Sequence, residues 1–135
     1  MKIALTGSNG FIGSNLLERF NICNYEVDIF RLEDNKKIKL FYQTIQEKNY
    51  DFVINCAADL RPNNKFKIFL NEELPFQIQS RIIYNTKLIH LSSLNVNDHR
   101  LNDKYTCSKR KAEKNLIKKN LFIIRPTLVI DETYD

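Results

Sequence analysis

Tryptophan is absent from this chain of 135 residues, methionine stands only at position 1, and glycine, proline and cysteine number three each. The cysteines, Cys23, Cys56 and Cys107, are scattered and odd in number. With no CxxC pair, they suggest neither a disulfide framework nor a zinc site, and no metal is expected. Cys56, at the end of an apolar stretch, reads as packing. No apolar run approaches the ~20 residues of a membrane span, and no signal-peptide pattern opens the chain. The glycine motif begins so close to Met1 that no targeting extension is expected, so the expected location is cytoplasmic. Internal repeats and low-complexity linkers are missing too, and residues 1–135 read as one domain. The net charge is +5. Its lysines cluster in Lys36-Lys37-Ile38-Lys39 and from Lys109-Arg110-Lys111 to Lys118-Lys119, which read as solvated helix faces. No basic platform interleaved with aromatics is present, and no nucleic-acid partner is expected.

What the chain does have begins at Thr6-Gly7-Ser8-Asn9-Gly10-Phe11-Ile12-Gly13. The apolar run Ile3-Ala4-Leu5 before it reads as a buried strand. Phe11, Ile12, Leu16, Leu17 and Phe20 recur at helical spacing. Strand, glycine turn and helix form the context of a nucleotide site. Gly7 would allow the tight turn, Gly10 the approach of a pyrophosphate, and Gly13 close helix–strand packing, with the helix N-terminus facing the phosphates. An ordinary strand-to-helix turn uses glycine in the same way.

Residues 25–30 read as a second strand with Arg31 at its end, where an arginine suits a 2′-phosphate and an acid a free 2′-hydroxyl. Arg31 tilts the expected cofactor toward NADP(H) over NAD(H), against the nearby Glu33 and Asp34. Asp34 or Asn35 can cap a helix carrying Ile38, Phe41, Tyr42 and Ile45. Residues 51–58 read as a buried strand leaving into a loop, whose small residues permit close approach of a ligand. Residues 66–84 read as helix, broken near Pro75. Residues 87–91 are a further strand, in which His90 reads as packed. A polar loop from Leu94 to Asp103 precedes a helix over about 105–119, with Ala112, Leu116 and Ile117 inward. Residues 121–124 form the last strand, closed by Arg125-Pro126. Alternating strands and helices predict an α/β fold, a Rossmann-like doubly wound parallel sheet with helices on both faces.

Ser92-Ser93 ends one strand, and Tyr105-Thr106-Cys107-Ser108-Lys109 opens the following helix. Tyrosine and lysine four apart share a helical face. An ammonium there is expected to lower the phenol's pKa, suiting it to proton transfer. A nearby serine hydroxyl could orient a carbonyl or alcohol.

With these residues the chain resembles the extended branch of the short-chain dehydrogenase/reductase superfamily, the NAD(P)-dependent sugar-nucleotide epimerases, dehydratases and reductases. The match is carried by TGSNGFIG at 6–13, VINCAA at 53–58, HLSSLNV at 90–96, YTCSK at 105–109 and IIRPTLV at 123–129. It implies that Gly7, Asn9, Gly10, Phe11, Ile12 and Gly13 surround the pyrophosphate. Arg31 would meet the adenosine 2′-phosphate, Asp34 the adenine, and Ala57 and Ala58 the cofactor's path. Ser93, Tyr105 and Lys109 would form the catalytic triad, with Tyr105 as acid/base and Lys109 also on the ribose hydroxyls. Pro126 would lie beside the nicotinamide, and Asn71 would shape the helix next to the site. The spacing from Asn71 to Pro75 is most similar to dTDP-4-dehydrorhamnose reductases.

Departures from the pattern are also expected to matter. Arg31 to Asp34 leaves almost no room for the usual third strand, which is expected to be reduced or absent. The connection from Ser93 to Tyr105 is short, and Thr127-Leu128-Val129-Ile130-Asp131 lacks the usual tyrosine-glycine. The C-terminal substrate portion is expected to be missing after Asp135. The resemblance thus implies hydride transfer on a nucleotide sugar, with a second copy or a partner chain completing the substrate site. The alternatives are a non-catalytic NADP(H)-binding module and the cofactor-binding fragment of a longer enzyme.

Overall fold

The computed structural model describes residues 1–127. Five strands form one wholly parallel sheet in the order β2-β1-β3-β4-β5: β1 (Lys2–Thr6), β2 (Glu26–Phe30), β3 (Phe52–Asn55), β4 (Lys87–Leu91) and β5 (Leu121–Ile124). Register follows side-chain alternation. Leu5 lies opposite Ile29 and Ile54, and Ile54 opposite Ile89. Ile3, Leu5, Ile54 and Leu91 pack on one face with Ile12, Leu16, Leu17 and Phe20 of α1 (Phe11–Ile22). Ala4, Val53 and Leu88 point the other way. They meet Ile38, Phe41 and Ile45 of α2 (Asn35–Glu47), and Leu74 and Ile78 of α4 (Leu74–Gln79). Helices therefore cover both faces, as the alternation predicts. Among the described residues no strand lies outside β2, because only residues 31–34 separate it from α2.

Capping chemistry sets most helix starts. Asp34 accepts from the Lys37 amide at 2.8 Å, and Asn64 from the Lys67 amide at 2.9 Å at the head of α3 (Lys65–Glu72). Asp103 accepts from the Thr106 amide at 2.9 Å, opening α5 (Lys104–Asn115). The helix expected over 66–84, with a break near Pro75, is two helices. The break falls at Glu73, so that Pro75 sits in the first turn of α4, where its missing N–H does no harm. Helix α4 ends at Gln79, short of Tyr84. Within the polar loop, Leu94–Asn97 forms one 3-10 turn capped by Ser93.

Helix α5 is also shorter than expected. Leu116 leaves it extended and buried, Ile117 is exposed rather than inward, and Lys118 and Lys119 follow the helix. Lys109 corrects the solvated reading of its cluster, being 1% exposed in the interior. Among the described residues no helix is long and apolar enough to cross a membrane.

Candidate active site

The carboxyl ends of β1, β3 and β4 are tied by a buried polar chain. Thr6 Oγ1 donates to Asn55 Oδ1 at 2.7 Å, and the Ala57 amide donates to the same oxygen at 3.2 Å. Asn55 Nδ2 meets His90 Nδ1 at 3.3 Å. Burial holds the His90 imidazole far below its ordinary pKa, so it is neutral. His90 is thus packed, as expected, and it also takes part in this chain, which fixes the backbone at Ala57 against the glycine turn.

That turn has little slack. Gly7 has φ of 73°, and a Cβ there would meet the Ala57 nitrogen and the Cys56 carbonyl carbon at 2.5 Å. A Cβ on Gly13 would lie 2.1 Å from the Gly7 oxygen, so Gly13 is what lets α1 reach the turn. Gly10 differs. Its φ of −80° is open to any residue, and a Cβ would meet only the Gly7 oxygen at an ordinary 3.4 Å. Among the described residues, no contact requires glycine at position 10. Gly10 is the N-cap of α1, with no side-chain cap. The helical ladder begins at Ser14 N–H to Gly10 O, so the amides of Phe11, Ile12 and Gly13 precede it.

Two hollows adjoin over the strand ends and share Gly10, Cys56 and Ala58. The smaller, about 210 Å³, is bounded by Gly7, Ser8, Asn9, Ala57, Leu70 and the Phe30–Glu33 segment. Arg31 stands on its wall with no ion-pair partner among the described residues, whereas Glu33 is paired with Lys37. Asp34 is not on this wall, since its carboxylate caps α2. The larger hollow, about 530 Å³, brings Phe11, Ile12 and Gly13 together with Ser93, Tyr105, Lys109 and Pro126. All the expected site residues except Asp34 and Asn71 therefore border one groove. Asn71 acts from behind it: its side-chain oxygen accepts from the Asp59 amide and its NH₂ donates to the Asp59 carbonyl, both at 2.8 Å, pinning the loop after Ala57-Ala58.

In the larger hollow, Lys109 Nζ donates to the Leu91 carbonyl at 2.7 Å, leaving donors for a ligand. Burial pushes its pKa down to about 8, partly offset by Glu113. Burial likewise pushes the Cys56 thiol up to about 11, so Cys56 is an inert lining group and not a counter-ion. The expected lowering of the Tyr105 phenol is corrected. Its pKa is raised, first by burial and then by Asp103, and Lys109 lies 5.9 Å from the ring centroid. Tyr105 therefore holds its proton at neutral pH. Ser93 Oγ accepts weakly from the Asn95 amide at 3.3 Å and borders the hollow.

Sequence reasoning passed over three groups that shape this site. Asn55 looked like part of a buried strand, and Arg110, which donates to the carbonyls of Val96, Asp98 and Leu101, looked like one of a charge run. Glu113 was detectable only by its four-residue spacing from Lys109. The motif residues beyond Thr127 lie outside the described residues. Among the described residues, no group of three or more His, Cys, Asp or Glu side chains could hold a metal ion.

No protein-family model matches the chain, and no curated protein matches it. Solved structures do. A dTDP-4-dehydrorhamnose reductase from Yersinia enterocolitica superposes with a TM-score of 0.79 at 20% identity, over 96% of this chain and 53% of that one. The dTDP-4-dehydrorhamnose reductase from Clostridium acetobutylicum gives 0.72 at 22% identity, over 93% and 52%. A short-chain dehydrogenase/reductase superfamily protein from Agrobacterium tumefaciens with bound NAD gives 0.73 at 18%, over 93% and 48%. The chain thus spans about half the length of these structures, and over that half it shares their Rossmann-like fold.

Proposed function

We propose that this chain is the nicotinamide-dinucleotide-binding part of an extended short-chain dehydrogenase/reductase acting on a nucleotide-linked sugar. One observation carries the reading: a single groove joins the uncapped N-terminus of α1 to Ser93, Tyr105 and Lys109. The residues fit a dinucleotide. Gly10 leaves open the space that a pyrophosphate would take, and the first amides of α1 would donate to it. Cys56 and Ala58 border both hollows, Ala57 lines the smaller one and Pro126 the larger. The guanidinium of Arg31, without an ion-pair partner among the described residues, suits a 2′-phosphate, while the nearby acids are engaged elsewhere, which favours NADP(H) over NAD(H).

A bound nicotinamide would supply or accept the hydride. Tyr105, held protonated, would deliver a proton to the substrate oxygen during reduction and recover it in the reverse direction. Ser93 would orient that oxygen. Lys109 would donate to the ribose hydroxyls, and its charge would favour the phenolate as the proton leaves. A partner chain, a second copy or further residues would complete the substrate side, and a cytoplasmic location suits such chemistry. The Tyr105→Phe variant tests the acid/base role in a 4-dehydro nucleotide-sugar reduction assay. It should lose turnover by about 10²-fold or more with cofactor affinity unchanged. Equal rates in mutant and parent would remove Tyr105 from the mechanism.

The second reading is a non-catalytic NADP(H)-binding module. The same groove supports it, and its mark would be saturable cofactor binding with no turnover in parent or variant.

A further inference from the structure

Behind Lys109 the structure holds an ion pair that the proposed chemistry does not use. Glu113 lies one helical turn along α5, on the same face as Lys109. Its carboxylate receives three guanidinium contacts from Arg125: Nε to Oε1 at 2.9 Å, Nε to Oε2 at 3.2 Å and Nη2 to Oε2 at 2.5 Å. The Glu113 side chain is 12% exposed and that of Arg125 41%, so the pair is closed toward the protein and open behind. Ser92 faces the same carboxylate without hydrogen-bond geometry, and Arg125 directly precedes Pro126 of the groove wall.

Among the described residues, the groups around the Lys109 ammonium leave one source of negative charge. From β4 come the Leu91 carbonyl, which is neutral, and His90, which burial keeps neutral. Cys56, after β3, keeps its proton at neutral pH. On α5 itself, Tyr105 is protonated and Glu113 is ionised: against the effect of burial, its carboxyl is held low by Arg125 and Lys109. A bidentate guanidinium–carboxylate pair has fixed geometry, so this charge cannot swing away.

We propose that Glu113, locked by Arg125, is a positioning residue for Lys109: it supplies the fixed carboxylate that keeps the buried ammonium charged. Lys109 matters for cofactor under the function proposed above, and the role of Glu113 rests on that reading. The coupling itself can be read in the ligand-free chain. The test follows the Lys109 side-chain carbon and nitrogen resonances in lysine-labelled protein through pH 6 to 11. In Glu113→Gln the Lys109 midpoint should fall by at least about half a unit below the parent value, and Glu113→Asp should restore most of that fall. A merely structural role gives the opposite sign, because loosening α5 would hydrate Lys109 and raise its midpoint toward 10.5. An unchanged or raised midpoint overturns the proposal. If Glu113→Gln does not fold, the reciprocal measurement decides: Lys109→Met should raise the Glu113 carboxyl midpoint, and an unmoved Glu113 contradicts the proposal. Separate titration with NADPH then tells the two readings apart. Coupling without cofactor binding keeps the Lys109–Glu113 relation and removes the function proposed for it.

Discussion

Burial of the Lys109 ammonium lowers its pKa from 10.5 to about 8, which penalises the charged form by roughly 3 kcal/mol. The sign sets a pH window. Between about pH 8 and 10.5 the unfolded chain holds this proton and the folded chain does not, so stability rises with pH there. Below pH 8 the penalty is in full force. Lys109→Met should therefore stabilise the fold at pH 7 by about 1–3 kcal/mol, while weakening dinucleotide binding. Urea unfolding at pH 7 and pH 10 checks this: the variant's advantage over the parent at pH 7 should shrink at pH 10. A variant no more stable than its parent at pH 7 would mean that the ammonium is better solvated than its 1% exposure indicates. The Tyr105–Lys109 spacing was legible in the sequence, but the sign of the Tyr105 shift was not. Four-residue spacing places two groups on one face and says nothing about how far burial outweighs their mutual charge.

At the level of the element, the glycine turn separates folding from binding. Gly7→Ala and Gly13→Ala each drive a Cβ into backbone, at 2.5 and 2.1 Å, and should destabilise by several kcal/mol, about 2 or more in urea. Gly10→Ala has room and should unfold like the parent, yet lose about tenfold or more in dinucleotide affinity. Equal losses of stability in all three would undo the argument that position 10 answers to a ligand. The β3–α3 loop gives a parallel case. Asn71→Ala removes both hydrogen bonds to Asp59 and should lower stability by about 1–3 kcal/mol, with faster amide exchange at Asp59 as the local readout. Strand and helix identities followed from apolar period and caps, as Asp34 shows. The ends did not. The break near Pro75 was legible from the proline, but the early end of α5 depends on where Leu116 finds the core, which periodicity cannot locate.

At the scale of the whole molecule, five parallel strands bring residues from positions 6 to 126 to one rim, and about half the length of the similar solved structures accounts for this groove. The order of the motifs made that rim readable in advance, because a parallel sheet puts every strand's carboxyl end on the same side. The buried chain Thr6–Asn55–His90 was not readable, since it joins residues distant in sequence through side chains that each look like ordinary strand members. The central claim is that this rim holds a nicotinamide dinucleotide. Titration of NADPH and NADH into the purified chain, followed by the cofactor's own fluorescence against a protein without tryptophan, tests it most directly. The account predicts saturable binding that favours NADPH, with the preference levelled or reversed in Arg31→Asp. No saturable binding of either dinucleotide would contradict it.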